Sequence, residues 1–173
     1  MSCIPYREII KSAIESVRRD GMTLRYVPEY LRSMRICRIA VNQNPSSFQF
    51  VPEYLKTKSF CFKAVQKKGD LLEHILEPKM TNKIIFAALL QDGLALRFVP
   101  AQNRTEEFCM AAIDNNPLAI RYVPVFRRTN DVCMNLIRSM IEYTARHSAG
   151  HTADEDLYFQ TFFQQTLYSP GCL

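Results

Sequence analysis

Cysteines at regular intervals are the first residues in this chain whose type and spacing could do chemistry. The periodic ones are Cys37, Cys61, Cys109 and Cys133, separated by 24, 48 and 24 residues. No CxxC pair is present to seed a zinc site. Equivalent places on successive helices lie about 8–10 Å apart, whereas a disulfide needs Cα atoms within about 7 Å. The spacing therefore predicts small, buried, reduced core residues in a reducing compartment. Cys3 and Cys172, near the two ends, are predicted to be exposed without activation.

The histidines offer little acid–base or metal chemistry. His147 and His151 have i, i+4 spacing just before the acidic residues 154–156, a pattern compatible with a weak metal site. Residues 148–150, Ser-Ala-Gly, favour a mobile connector instead, and His74 falls inside a core phrase. No nucleophile is accompanied by a base and an orienting group. We therefore predict no catalytic residue, no metal site and no cofactor.

The elements that carry these residues belong to a repeat of 24 residues. The phrase at 24–28, Leu-Arg-Tyr-Val-Pro, recurs in similar form at 48–52, 96–100 and 120–124. A degenerate copy at 72–76 keeps Ile75 in register with the valines. Small and aliphatic residues follow each periodic cysteine position at i+3 and i+4, which places them on one helical face. The aromatic residues of the phrases are predicted to be core, namely Tyr26, Phe50, Phe98 and Tyr122.

Start and stop signals mark a helix in each repeat. Hydroxyl residues four positions before the cysteine places are predicted N-caps: Ser33, Thr57, Thr81, Thr105 and Thr129. The helices are predicted to end at pairs in which Gly or Asn permits a left-handed cap and Pro cannot continue the helix: 20–21, 44–45, 68–69, 92–93 and 116–117. A short second helix then runs through the Val-Pro phrase. A strand is the competing interpretation, because Leu-Arg-Tyr-Val alternates.

The predicted fold is all-α, an α-solenoid of about five 24-residue helix-pair repeats, because no pair can bury its apolar face alone. A starting helix opens at Pro5 with Ile9, Ile10, Ala13, Ile14 and Val17 facing inward. The predicted partition is a repeat domain at 1–140, a connector at 141–153 and a capping helix at 154–173, within one structural domain. A partner-docking helix is the alternative for the last segment.

Charge is unevenly distributed along the chain. The formal net charge is +5, with 22 basic and 17 acidic residues, but residues 141–173 carry a net −3 and the remainder +8. A basic body of this kind attracts an acidic protein, nucleic acid or a membrane surface. No secretory signal is visible, and the longest apolar run, at 84–90, is far shorter than the roughly 18 residues of a membrane span. We predict a cytoplasmic protein without a transmembrane segment.

Two sets of basic residues each share one position of the repeat. Arg25, Arg97 and Arg121 form the first set, and Arg32, Lys56, Arg104 and Arg128 form the second. Stacked repeats would align each set into a stripe with a step of about 10 Å. Such a stripe suits an acidic protein surface or a phosphate backbone, so both sets are predicted partner-binding residues. The alternative is structural: the second set follows the short helix and stabilises its negative C-terminus.

The Val-Pro phrase, with its Ala-Val helix and Asn-Gly or Asn-Pro turn, resembles a domain-of-unknown-function family with the pattern AVxxNGxALxYVPxxLRT. The resemblance spans about 36–129 and lapses at 74–76, where no Val-Pro occurs. The family is mostly bacterial and includes proteins of pathogens that deliver proteins into host cells. The resemblance implies a repeat fold, and delivery to a host cell without a cleaved classical signal. It supplies no catalytic residues.

The predicted function is a non-enzymatic protein–protein interaction module, an adaptor or a bacterial effector that engages a host protein through the basic repeat face. The alternative is a nucleic-acid-binding protein that uses the same basic stripe. A third and weaker hypothesis is an enzyme whose site forms between helices.

Overall fold

The computed structural model describes residues 6–147 and residue 161, and every regular element within them is helical, which confirms the all-α class. The α-helices are Tyr6–Arg19 (α1), Met34–Gln43 (α2), Lys58–Lys67 (α3), Asn82–Gln91 (α4), Glu106–Asn115 (α5) and Asn130–His147 (α6). From α2 onward, each helix begins 24 residues after the previous one, as the sequence period requires. No helix in the described part of the chain is both long and apolar enough to cross a bilayer.

Two 3₁₀ helices separate each pair of α-helices, where the sequence predicted one short helix. The longer ones are Gly21–Tyr26, Pro45–Phe50, Gly69–His74, Gly93–Phe98 and Pro117–Tyr122. The shorter ones are Glu29–Leu31, Glu53–Leu55, Glu77–Lys79, Ala101–Asn103 and Val125–Arg127. The Val-Pro pair breaks the element, because a residue before proline is disfavoured in helical backbone. Val27 is accordingly extended, with φ −72° and ψ 123°. The helical interpretation of the phrase is confirmed over the strand.

The predicted N-caps are confirmed. Each hydroxyl accepts a hydrogen bond from the backbone N–H three residues on, at donor–acceptor distances of 3.3–3.5 Å. These caps satisfy N–H groups that have no partner within the helix. The five capping residues are Ser33, Thr57, Thr81, Thr105 and Thr129.

The predicted left-handed caps at the helix ends are wrong. Asn44 and Asn116 have φ near −140° and ψ near 109°, which is extended backbone. Asn44 Oδ1 accepts from the N–H of Ser46 at 3.0 Å, and Asp92 Oδ1 accepts from Leu94 at 2.9 Å. These residues therefore end one helix and cap the start of the next 3₁₀ helix, which suits their strong N-cap preference.

Glycine opens some of these 3₁₀ helices because the next repeat approaches too closely for a side chain. A Cβ on Gly93 would lie 2.2 Å from the carbonyl oxygen of Ala112. A Cβ on Gly21 would lie 2.4 Å from the carbonyl oxygen of Ala40. Both contacts are to backbone, so they cannot relax by a rotamer change. Close approach, rather than a positive φ, is what requires glycine at these positions.

The chain divides within α4 into two compact units, residues 1–88 and 89–173. Large side chains fully buried in the first unit include Leu24, Ile36, Phe48, Val65 and Leu72. Leu96, Ile113 and Ile120, at equivalent repeat positions of the second unit, are also fully buried. Since α6 continues to His147, the first seven residues of the predicted connector are helical. The predicted capping helix at 154–173 lies outside the described residues, apart from residue 161.

The starting helix α1 buries less than predicted. Val17 is fully buried, but Ile9 is 38% exposed, and Ile10, Ala13 and Ile14 are half-buried. The reason is that α1 carries polar residues where the next helix carries apolar ones. At the places where α2 has buried Ile36 and Ala40, α1 has exposed Ser12 and Ser16.

Candidate interaction surface

Three of the four periodic cysteines are buried free thiols, as predicted: Cys37, Cys61 and Cys109. Burial raises the pKa of Cys37 and of Cys109 to about 11, despite the opposing charges of Arg32 and Arg104. Burial also raises the pKa of Cys61. These thiols are protonated at neutral pH and are therefore poor nucleophiles and metal ligands.

Cys133 departs from the prediction because it is disulfide-bonded. The spacing argument excluded bonds only between the periodic cysteines, and the other three are indeed free. Cys3 and Cys172 lie outside the described residues. The prediction of a reduced core thiol was therefore wrong at this one position.

The histidines contribute no described site. The carbonyl oxygen of His74 accepts a hydrogen bond from Lys56 Nζ at 2.8 Å, so the His74 backbone takes part in a contact between two repeats. His151 and the side chain of His147 lie outside what the structure describes. Within the described residues, no group of three His, Cys, Asp or Glu side chains is placed to hold a metal ion.

The second set of predicted basic residues turns inward to backbone carbonyls. Arg32 Nε donates to the carbonyl oxygen of Val27 at 2.8 Å, and Nη2 donates to that of Arg25 at 3.2 Å. Its Nη1 reaches the next repeat and donates to the carbonyl oxygen of Phe50 at 2.8 Å. One guanidinium therefore joins the carboxyl ends of the longer 3₁₀ helices of two successive repeats, where the helix dipole is negative.

Arg104 repeats this arrangement 72 residues later. It donates to the carbonyl oxygens of Val99 at 2.8 Å and Arg97 at 3.3 Å, and through Nη1 to that of Tyr122. Burial lowers the pKa of Arg104 from its ordinary value. Arg128 Nε donates to the carbonyl oxygen of its own Val-Pro phrase at 3.3 Å. The donors of the second set are thus used within the fold.

Lys56 holds the same place with a single ammonium group. It is only 7% exposed, and its Nζ bonds to His74 and lies 3.2 Å from a carboxylate oxygen of Glu53. In the next repeat the equivalent residue is Met80, which is uncharged. The neighbouring Lys79 reaches back and donates to the carbonyl and carboxylate oxygens of Glu53, both at 2.7 Å. Lys79 therefore adds a second cation at the junction where Lys56 already lies, and it does not take the place of Met80.

The first set faces solvent. Arg25 and Arg97 are exposed, and each guanidinium lies over the ring of the following aromatic residue, 4.6 Å from Tyr26 and 4.5 Å from Phe98. Arg121 is also exposed. A cation stacked on a ring is held in a defined position while its N–H groups stay accessible. The two sets, which the sequence could not separate, therefore differ in their surroundings.

The aromatic residues of the phrases are not core, contrary to prediction. Tyr26 is 71% exposed, and Phe50, Phe98 and Tyr122 are half-buried. The reason is the 3₁₀ geometry, in which three residues complete a turn. Leu24 and Val27 are aligned on the buried side, and the aromatic position between them points elsewhere.

Two further tyrosines of the first unit are exposed, and they were not among the predicted site residues. Tyr30 is 79% exposed and Tyr54 is 69% exposed, at equivalent places of the first two repeats. Tyr26 also lines a groove of about 510 Å³ between α1 and the first pair of 3₁₀ helices, together with Ile9 and Pro28. The available signal was the phrase Pro-Glu-Tyr-Leu, which occurs twice at the repeat period.

Comparison with known proteins gives a family of unknown function. The family described as domain of unknown function, DUF4116, matches residues 6–56 and again residues 34–80. The match confirms a domain of unknown function, but it covers residues 6–80, whereas the resemblance was placed at about 36–129. No curated protein and no solved structure matches the chain.

Proposed function

We propose that this protein is a non-enzymatic protein-interaction module that binds an acidic protein partner through its first unit. The contact surface is the Arg–Tyr surface, formed by Arg25, Tyr26, Tyr30 and Tyr54. The observation that carries the proposal is the exposure of its three tyrosines, which is 69–79%. Tyrosine and arginine are enriched at the centres of protein interfaces, where burial of a large ring supplies much of the binding energy.

The groove beside Tyr26 supports the same surface. A side chain of the partner that enters the groove would contact Ile9, Pro28 and the Tyr26 ring, while Arg25 remains at the edge with its donors free for a carboxylate. An apolar centre with a polar rim is the usual anatomy of a specific interface.

An α-solenoid arrangement of the repeats is part of this proposal. Its support is the constant unit of one α-helix and two 3₁₀ helices, together with the Arg32 guanidinium that binds carbonyls of its own repeat and the next. A role as an adaptor, or as a bacterial effector that engages a host protein, rests on the sequence resemblance to proteins of pathogens.

Nucleic acid is the second candidate partner, because positive charge is concentrated in the first unit. Residues 6–88 contain 15 Lys and Arg against 8 Asp and Glu, a net +7. Exposed tyrosines also stack on bases. A protein can direct apolar side chains at the tyrosines and a carboxylate at Arg25, whereas a continuous phosphate backbone would also pass Glu29 and Glu53, which directly precede Tyr30 and Tyr54. This placement favours a protein at the Arg–Tyr surface.

Affinity capture followed by reconstitution tests the proposal. The full chain is immobilised, a stoichiometric protein is recovered from a bacterial or host lysate, and its binding to the purified chain is measured by calorimetry. Replacing Arg25, Tyr26 and Tyr30 together by serine is expected to weaken that binding at least 30-fold. The matched control replaces exposed Lys11 and Arg18 of α1 by serine and leaves the affinity within about twofold. Equal binding by the Arg–Tyr variant and the wild type would overturn the proposal.

A salt titration separates the two candidate partners. Fluorescence anisotropy measures binding of a single-stranded RNA and a DNA duplex between 50 mM and 200 mM salt, a range chosen because phosphate contacts lose about 10³–10⁵ in affinity across it. Tight binding that falls log-linearly with salt, and that disappears on charge reversal at the exposed Arg25 and Arg35 of the first unit, would favour the nucleic-acid function.

A further inference from the structure

Three cations meet at a small recess between α2 and α3, outside the Arg–Tyr surface. The recess has a volume of about 140 Å³ and is lined by Arg38 of α2 and by Lys63 and Lys67 of α3. Asn42 and Ser59 add an amide and a hydroxyl to its wall. The recess therefore combines a guanidinium, two ammonium groups and two neutral polar side chains.

The charges of the recess are not neutralised within the described part of the chain. Arg38 and Lys63 are exposed and form no ion pair or hydrogen bond there. The Lys67 ammonium lies across the recess, 3.5 Å from the carbonyl oxygen of Asn42 in the last turn of α2. Like charges held around one recess repel each other, and a bound anion would remove that repulsion.

The equivalent place between α5 and α6 shows that the repeat does not need these cations. Seventy-two residues on, the four helix positions carry Met110, Asp114, Asn135 and Ser139. Asn135 Nδ2 donates to the carbonyl oxygen of Met110 at 3.3 Å, and Ser139 Oγ donates to Asp114 Oδ1 at 3.1 Å. Asn135 and Ser139 are both buried, at 6% and 5% exposure.

Helix spacing agrees with this difference. The backbones of α5 and α6 pack closely, as do those of α1 and α2, whereas α2 and α3 approach each other at few points. The α2–α3 junction is thus a wider place in which three cations replace the neutral and acidic side chains that close the other junction.

We infer that the α2–α3 recess binds a phosphate monoester dianion. A phosphate monoester carries a charge of about −1.5 to −2 at pH 7 and three strong acceptor oxygens, which matches three cations and a hydroxyl better than a single carboxylate does. The inference rests on the proposed function in one respect, since the phosphate belongs to a phosphorylated serine or threonine of the protein partner. A nucleic acid requires successive cations, and the corresponding α5–α6 position presents Asp114 instead.

The test is a titration of the ¹⁵N-labelled full chain with a short phosphoserine peptide, its unphosphorylated form and inorganic phosphate, followed by amide chemical shifts. Saturable shifts are expected at Arg38, Ser59 and Lys63 with the phosphopeptide and, more weakly, with inorganic phosphate. The unphosphorylated peptide is expected to leave them unchanged.

The matched variant transfers the closing residues of the other junction. K63N/K67S places the residues of 135 and 139 at the equivalent positions, so the repeat is known to accept them, and it is expected to weaken phosphopeptide binding at least tenfold. R38M, which introduces the residue of position 110, gives an independent loss. K11N/R18S removes the same charge from α1 and should keep the wild-type affinity, and circular dichroism verifies the fold of each variant.

Several results would overturn the inference. They are equal affinity for the two peptides, undiminished binding by both K63N/K67S and R38M, or tighter binding of a 12-nucleotide RNA at the same amides. The peptide titration does not require Tyr26 or Tyr30, so it distinguishes a failure of the recess from a failure of the Arg–Tyr surface. A chain that binds its partner but not phosphate refutes only the recess.

Discussion

The backbone N–H of Gly93 donates a 2.7 Å hydrogen bond to Asn115 Oδ1, at the end of the next α-helix. The side-chain amide of Asn115 also donates, through Nδ2, to the carbonyl oxygen of Leu90 at 2.8 Å. One side chain thus satisfies a donor and an acceptor on either side of the turn that ends α4. Gly21 and Gln43 repeat the relationship in the first unit, at 2.6 Å.

We call this pair of a glycine N–H and a side-chain amide the clasp, and its two residues recur in the sequence at a fixed spacing. A glycine at the first position of the 3₁₀ helix is followed 22 residues later by an amide, whereas a proline, which has no N–H to satisfy, is followed by another residue type. The glycine pairs are 21/43, 69/91 and 93/115, and the proline pairs are 45/67 and 117/139.

Asn115→Ala should lower the free energy of unfolding by about 1–2 kcal/mol, because it leaves the N–H of Gly93 without its partner. Urea denaturation followed by circular dichroism gives the value. Asn103→Ala, at an exposed position of a short 3₁₀ helix, is the control and should change stability by less than about 0.5 kcal/mol. Equal stability of the two variants would contradict the clasp.

Gly93→Ala should be more damaging, by about 2–3 kcal/mol, since the new methyl group meets the Ala112 carbonyl oxygen at 2.2 Å. The α-helix of the next repeat must move to make room. Thermal and urea unfolding measure the loss, with Ala101→Gly at an exposed site as a check on general glycine–alanine effects. A stabilised Gly93→Ala protein would show that the repeats are not packed this closely.

Replacement of Arg104 separates charge from geometry. Arg104→Met removes all three carbonyl contacts and should cost about 1.5–3 kcal/mol, the range for hydrogen bonds to a charged group. Arg104→Lys should cost less, because Lys56 fills the equivalent position by donating a single bond to His74. The unfolding free energies of both variants provide the measurement, and equal losses would indicate that the fork geometry of the guanidinium has no role.

Acid should weaken the junction around Glu53. Burial raises the pKa of this carboxyl, but hydrogen bonds from Lys79 and Lys56 outweigh it and hold the pKa below the ordinary 4.5. The stabilisation is therefore complete above pH 4.5 and is lost as the pH falls through the lowered pKa. Between pH 6 and pH 3, the wild type should lose more unfolding free energy than Glu53→Gln. Parallel pH profiles would refute this role.

Much of the fold was predictable because the residues that start and end each helix interact with the neighbouring backbone. Ser33 and Thr57 are N-caps for a reason that needs only the neighbouring backbone. The break at Val27 follows from the proline after it, but the change from α to 3₁₀ geometry depends on packing between repeats. For that reason the sequence placed Tyr26 in the core, whereas the structure exposes it.

The candidate surface was less predictable. Arg25 and Arg32 are chemically alike, and their types alone do not show that Arg32 binds carbonyl oxygens of its own repeat and the next while Arg25 lies on an exposed ring. The recess lined by Lys63 and Lys67 was not predicted. It depends on the spacing between α2 and α3, which the 24-residue period does not reveal.

The most direct test of the account compares Arg25→Ser with Arg32→Ser, since the two basic sets are assigned opposite roles. For each variant, urea unfolding gives the stability, and calorimetry with the reconstituted partner gives the affinity. Arg25→Ser should keep the stability within about 0.5 kcal/mol and weaken partner binding. Arg32→Ser should lose about 2–3 kcal/mol of stability and, where folded, bind as the wild type does. The reverse pattern would contradict the account.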